Sequence, residues 1–277
     1  MNTTSVQNWQ NGSTNQRRKS MIENINIDPS ASFVDSKDIK KKFMLIGTSD
    51  SNLSSSKFWN LAWKSDTRVI VRFDKGKSMN HPWLSSSSSL EYNIGEFTVW
   101  KKTMIDKYYT QINLTIRNNK EKKSRKITHF QYHDCLDHHT PFYSVQLISF
   151  WKMVNKKHGG YITIQAEGKK NALSPIVMYS DQCFERLVSI CAIDIYLDQL
   201  MKEQPVSVTT ILLGIKSQVS LSSISPEEEA FIDRTLLHSE RALFWKKKAS
   251  DDRDPESKTF GDRVKKYCSL FKRTSVF

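Results

Sequence analysis

Cysteine is scarce in this 277-residue chain, and long apolar runs are absent. The four cysteines, Cys135, Cys183, Cys191 and Cys268, never stand in a close pair, so no metal or redox motif of the C-x-x-C kind can be read from them. They read as free thiols in a reducing compartment. No stretch of about 18 apolar residues occurs, and the first residues, MNTTSVQNWQNGSTNQRRKS, hold no apolar signal core. These absences predict a protein that is neither exported by the usual route nor membrane-spanning, hence cytoplasmic. The sequons at Asn2, Asn11, Asn52 and Asn113 are then expected to stay unmodified, because glycosylation needs a secretory path. The C-terminal Ser-Val-Phe is not a prenylation box.

What is present is the composition of a folded protein, with 38% hydrophobic and 11% aromatic residues, sufficient for a sizeable core. Lysine and arginine outnumber aspartate and glutamate 42 to 29, a net charge of +13. Such a surplus fits anionic partners, whether nucleic acid, acidic lipid or phosphorylated protein. It fits a plain solvated basic surface equally well.

Along the chain, residues 1–28 are polar and nearly free of aliphatic side chains, which predicts a flexible leader. Short apolar runs of strand length follow at Ala31–Val34 and Phe43–Ile46. Ser54–Lys64 opens with hydroxyl caps and places Phe58, Leu61, Ala62 and Trp63 at helical spacing. Arg68–Phe73 reads as a strand, KGKSMNHPWLSSSSSLEYNIGE as a loop, and Phe97–Lys101, Tyr108–Ile116 and Lys126–Tyr132 alternate as strands do. The basic tract NNKEKKSRK between the last two reads as an exposed hairpin end. Beyond it the period becomes helical over Pro141–Lys156, Arg186–Met201, Ser207–Ser217 and Pro226–Trp245. One strand, Ile176–Tyr179, falls between two helices, so the pattern predicts an α/β domain over residues 29–245, with a mixed sheet flanked by helices on both faces. Residues 246–277 open with the linker-like KKKASDDRDPESK. They end in FGDRVKKYCSLFKRTSVF, which has the spacing of a basic amphipathic helix or of a frayed terminus.

The stretch PIVMYSDQCFERLVSICAID, Pro175–Asp194, passes from a buried-type strand through a polar turn to a helix. There, backbone N–H groups and the positive helix end converge into an anion site. The turn resembles the signature of the protein tyrosine phosphatase family: His-Cys, five residues, then Arg. Three further blocks match that family in serial order: SASFVDSKDIKKKFMLIGTSD, FWNLAWKSDTRVIVRFDKGK and HFQYHDCLDHHTP. The resemblance covers roughly residues 25–245. The segment CAIDIYLDQL and the degeneracy of the motifs are similar to the tyrosine-phosphatase-like proteins carried by bracoviruses of parasitoid wasps. The resemblance implies a highly twisted mixed sheet.

The resemblance also implies a damaged site. Tyr179 and Ser180 stand where the family has its His and its nucleophilic Cys. A thiol near pH 7 is partly thiolate (free pKa about 8.5), whereas the Ser180 hydroxyl needs an adjacent base that Tyr179 does not supply. Cys183 lies too far along the loop to substitute. The family's glycines are replaced at Cys183, Glu185 and Val188, filling space where a phosphate approaches backbone. Asp181 and Glu185 add negative charge beside the one retained cation, Arg186, which is expected to pair with Glu185, Asp181 or another carboxylate. The general-acid position is kept as Asp137, with Cys135-Leu136 before it in place of Trp-Pro. The water-positioning Gln becomes Ile224. NQRRKSM near residue 15 is the nearest match to the phosphotyrosine-recognition loop, and it lacks the stacking Tyr.

No cofactor is expected. The run His129, His133, Asp134, Cys135, Asp137, His138, His139 contains metal-ligand types, but a strand end would scatter them, so no metal site is expected. Trp59, Trp63 and Trp151 read as core rather than as a base-stacking platform. The resulting expectation is a catalytically inactive phosphatase fold acting by interaction with host signalling proteins in host cytoplasm. Three rivals stay open: a phosphotyrosine trap that depends on Arg186, a salt-sensitive nucleic-acid binder, and an enzyme using Ser180 or Cys183.

Overall fold

The structure is a computed structural model that describes residues 31–47, 54–73, 91–105, 109–132, 141–166, 174–180, 184–202, 204, 206–219 and 223–251. In chain order the elements are β1 (Ala31–Val34), β2 (Phe43–Gly47), α1 (Ser55–Lys64), β3 (Val69–Phe73), β4 (Glu91–Ile94), β5 (Phe97–Ile105), β6 (Tyr109–Asn118) and β7 (Lys123–Tyr132). They continue with α2 (Pro141–Ala166), β8 (Ile176–Ser180), α3 (Phe184–Met201), α4 (Val208–Lys216) and α5 (Pro226–Asp251). The segments read as leader (1–28) and as amphipathic tail lie outside the described residues.

The strands form one eight-stranded sheet in the order β1-β2-β8-β3-β7-β6-β5-β4. β8 lies parallel to both β2 and β3, and β3 parallel to β7, while the remaining pairs are antiparallel. This is the expected mixed sheet. Alternation along each strand sends successive side chains to opposite faces. Phe43, Leu45, Val71, Phe130 and Met178 join the core under α2–α5, while Met44, Ile46, Ile70, Val177 and Tyr179 pack with Phe58 and Trp59 of α1. The central strands are therefore buried on both faces, which explains their largely apolar runs, broken in β3 by the buried Arg72.

Caps delimit the short helices. Ser54 accepts from Lys57 N, and Ser207 from Thr210 N. The carbonyls at the end of α1 are covered by Arg125, whose Nη1 donates to Trp63 O at 2.9 Å and whose guanidinium stacks 4.1 Å from the Trp63 ring centre. Arg125 Nη2 also pairs with Asp66 at 2.8 Å.

Three boundaries differ from the sequence reading. Glu91–Ile94, placed in a loop, is an edge strand paired to β5, with Gly95 at φ +59 in a two-residue connection. Four residues beside a serine run carry too little alternation to be recognised, and the hairpin forms because glycine accepts the left-handed turn. α2 continues past Lys156 through Gly159 and Gly160 to Ala166. The sequence reading ended this helix at Lys156, but the Tyr161 hydroxyl bonds Thr128 Oγ1 of β7 at 3.0 Å and fastens the last turns to the sheet. α5 likewise runs beyond Trp245 to Asp251, into residues read as linker.

α3 is buried from Arg186 through Tyr196, which marks it as the central helix of its layer. Its Asp194 is the hub of a buried polar cluster: Oδ1 accepts from Trp151 Nε1 at 2.8 Å and Asn155 Nδ2 at 2.6 Å, and Oδ2 from Lys42 Nζ at 2.5 Å. Close by, buried His158 donates Nε2–H to Ser174 O at 2.5 Å. Burial, reinforced by the Lys42 charge, holds the His158 pKa below its usual 6.5, with the Ser174 carbonyl and Asp194 opposing. The sign follows directly. With a folded pKa below the unfolded one, His158 contributes its full stability above pH 6.5 and loses it as pH falls through the lowered value. Urea midpoints of the native chain and His158→Gln should therefore converge or cross on moving from neutral to acid pH. Parallel pH slopes in the two proteins would contradict this assignment.

Among the described residues no helix is long and apolar enough to cross a membrane.

Candidate functional site

β8 ends at Ser180, paired with Gly47 of β2, and α3 opens at Phe184. The connecting residues 181–183, hence Asp181 and Cys183, lie outside the described residues, as does Asp137. Phe184 packs its ring on Gly47, so that a Cβ there would sit 3.4 Å from it. An aromatic side chain thus lies against the strand end beside Ser180.

Tyr179 is a core residue. Its ring meets Phe58 edge-on at 5.4 Å, and its hydroxyl shares a 3.0 Å hydrogen bond with His129 Nε2. His129 belonged to the run of metal-ligand types read from the sequence, and the other members of that run lie outside the described residues. Among the described residues no cluster of three or more metal-binding side chains occurs. Trp59 and Trp151 are buried as expected, and Trp63 is half-buried under Arg125.

Arg186 is 1% exposed. Its Nε donates to both carboxylate oxygens of Glu228, at 3.0 and 2.9 Å, and its Nη2 lies 2.8 Å from Oε1. The guanidinium also lies 3.8 Å from the Phe231 ring centre, and Ser189 Oγ donates to Glu228 Oε2 at 2.7 Å. The partner is thus another carboxylate, from α5, and not the adjacent Glu185.

Glu185 has a different task, set by the start of α5. Ser225-Pro226-Glu227-Glu228 has the capping-box form, in which the third helical residue returns to the N–H of the cap. Ser225 Oγ does accept from Glu228 N at 3.4 Å, but the Ser225 N–H is taken by Glu185 Oε2 at 2.9 Å. Glu185 thereby releases the Glu228 carboxylate for Arg186. Neither Glu228 nor this exchange was anticipated; the S-x-x-E pattern is the signal that marks Glu228 as special. Ile224, just before the cap, is buried in the core under α2–α5.

Ser180, Arg186 and Ile224 are therefore all placed around the N-terminal ends of α3 and α5, and two of them are built into packing. Cys191, further along α3, is the one described cysteine, free and fully buried, and burial together with Asp194 pushes its thiol pKa well up. It stays a protonated core side chain. An open groove of about 520 Å³ lies toward the other end of α3, between the β1–β2 loop and α4, floored by Ile195, Val206, Ile211 and Ile215 and edged by Lys37 and Lys40.

A parallel strand that ends at Ser180 and a buried helix that opens at Phe184 belong to an α/β domain built on one mixed sheet. The family model for protein-tyrosine phosphatase matches residues 7–238, so the chain belongs to the protein-tyrosine phosphatase family. The match starts inside the segment read as a polar leader. The chain is 42% identical over 272 residues to Tyrosine phosphatase-like protein N3 of Microplitis demolitor bracovirus (isolate Webb), covering 94% of this chain and 84% of that protein. Tyrosine phosphatase H3 of the same virus is 28% identical over 217 residues, or 76% of this chain and 65% of that protein. Human receptor-type tyrosine-protein phosphatase zeta is 27% identical over 195 residues, 66% of this chain but only 8% of the receptor. The resemblance to bracovirus phosphatase-like proteins is borne out.

Proposed function

We propose that this chain is a pseudophosphatase: a tyrosine-phosphatase fold that neither hydrolyses nor holds phosphotyrosine and acts by binding a host signalling protein in the cytoplasm of insect cells, interfering with immune or tyrosine-phosphorylation signalling. The observation that carries the reading is the commitment of Arg186 to Glu228. A phosphate needs a guanidinium whose charge is available. Here the guanidinium is buried against a carboxylate that also accepts from Ser189, on a residue whose backbone N–H is held by the cap of α5. A dianion would have to displace Glu228 and leave that carboxylate buried without its countercharge, which is costly.

Three other positions support the same reading. Ser180 replaces the thiol, Tyr179 faces the core, and Ile224 offers no polar atom to a water. With phosphoryl chemistry gone, the fold supplies shape, and specificity falls to surface loops and the basic surface.

The test pairs the native chain with Ser180→Cys. Neither should release phosphate from a phosphotyrosine peptide, and titration calorimetry should give no heat above that of the unphosphorylated peptide. Turnover by Ser180→Cys would show that the cradle is intact and that a single atom had been lost. Binding by the native chain that disappears in Arg186→Lys would favour a phosphotyrosine trap instead.

A further inference from the structure

On the side of the sheet where α2–α5 pack, the described helices leave the part over β4–β7 largely uncovered. Register places Glu91 and Asn93 of β4, Thr98, Trp100, Lys102 and Met104 of β5, Gln111, Asn113, Thr115 and Arg117 of β6, and Ser124 and Lys126 of β7 on one side. The side-chain bonds agree: Gln111 Nε2 to Asn113, Asn113 Nδ2 to Met104 Sδ, and Thr98 Oγ1 to Asn93. The opposite side of the same strands buries Phe97, Val99, Ile112, Leu114, Ile116 and Ile127 in the α1 core. α2 reaches the open side only at its margin, where Phe150 meets Phe130 and Tyr161 meets Thr128. Lys102, Met104, Arg117 and Lys126 stay exposed and Trp100 half-exposed.

Charge on this face is one-sided. Lys102, Arg117 and Lys126 make no ion pair among the described residues, although other surface lysines do, Lys120 with Glu96 and Lys123 with Glu121. Glu91, the acidic residue on the face, is occupied as acceptor for Trp100 Nε1 at 3.0 Å. That bond also fixes the indole by one edge. In the row Trp100–Thr115–Lys126 the aromatic and a cation flank a hydroxyl. Arg117 is the diagonal neighbour of Lys126, with Cβ atoms about 7–8 Å apart.

A protein-binding patch would be expected to have an apolar centre and few lysines. This face has amides, hydroxyls and unpaired cations around one tethered indole, the make-up of a surface that tracks a phosphate backbone and stacks a base. We propose that the open face of β4–β7 binds single-stranded nucleic acid, with Lys102, Arg117 and Lys126 on phosphates and Trp100 against a base. This activity is separate from the degenerate phosphatase site and does not depend on Arg186.

The test is fluorescence anisotropy of a labelled oligouridylate of about twelve nucleotides, titrated with the full chain between about 50 and 200 mM salt. The native chain should bind with an affinity that falls steeply with salt. Lys102→Glu/Arg117→Glu/Lys126→Glu should bind at least about tenfold more weakly, with a log–log salt slope shallower by about 2, the loss expected for three phosphate contacts on a single strand. Trp100→Leu should weaken binding about tenfold and leave the slope unchanged. Should the triple variant fold poorly, Lys102→Gln/Lys126→Gln gives the same reading, with a slope shallower by about 1.4. Native-like affinity and slope in the charge variants would overturn the proposal. So would failure of the native chain to bind the oligonucleotide while a poly-glutamate peptide binds and loses its affinity in the same variants.

Discussion

Glu228→Ala is expected to remove about 3–5 kcal/mol of folding stability, because it leaves the Arg186 guanidinium buried without its countercharge. Arg186 is 1% exposed and spends both Nε and Nη2 on this carboxylate, and Ser189 would lose its acceptor as well. Single domains hold roughly 5–15 kcal/mol in total, so the variant would keep only a fraction of native stability. The conjugate experiment separates charge from packing. Arg186→Met with Glu228→Leu takes both charges out together and should restore most of the loss, since an ion pair replaced by apolar residues of similar volume is often neutral. Urea denaturation of the three proteins decides the matter. A Glu228→Ala midpoint equal to that of the native chain would mean that Arg186 has another sufficient partner, and the argument for a blocked phosphate site would lose its support.

The second large effect lies in the middle of α3. Asp194→Ala should also cost about 3–5 kcal/mol, since it strands the Lys42 ammonium in the core and orphans the Trp151 and Asn155 donors. Asp194→Asn keeps an acceptor for one of those donors and should lose less. Asp194 joins Lys42, the residue before β2, to α2 and α3, segments far apart in sequence. Loss of the cluster should therefore loosen the whole α2–α3 layer, and hydrogen exchange should rise across both helices and not only around residue 194. Exchange confined to α3 would show that the cluster is a local feature.

Much of the fold could be read from periodicity. Phe43–Gly47, Val69–Phe73 and Ile176–Ser180 are apolar on both sides because they are central parallel strands. Tyr109–Asn118 alternates because one of its faces stays open, whereas Lys123–Tyr132 is exposed at its start and buried on both faces from Ile127. β4 was missed since an edge strand of four residues buries little and so carries little pattern. The end of α2 was placed too early, at Lys156, because helix propensity is a weak local preference, here overruled by the hold of Tyr161 on Thr128.

The site was legible in part. The loop from Pro175 pointed to its family by the spacing of Ser180 and Arg186, together with three further blocks in serial order. The fate of Arg186 was not legible. Asp181, Glu185, Glu227, Glu228 and Glu229 are all acidic, and the S-x-x-E pattern that singles out Glu228 points to a return to the cap N–H, not to a pairing with Arg186. Likewise Lys42 and Asp194 give no hint of each other across the sequence.

The sequence by itself determined the family, the two-faced mixed sheet and the basic charge, because these depend on residue type, order and period. Only the tertiary structure decided which carboxylate Arg186 meets. α5 packs on α3, Glu185 takes the cap N–H of Ser225, and Glu228 is left facing the guanidinium. That choice depends on how two helix ends dock, a geometric relation across some forty residues that no local pattern encodes.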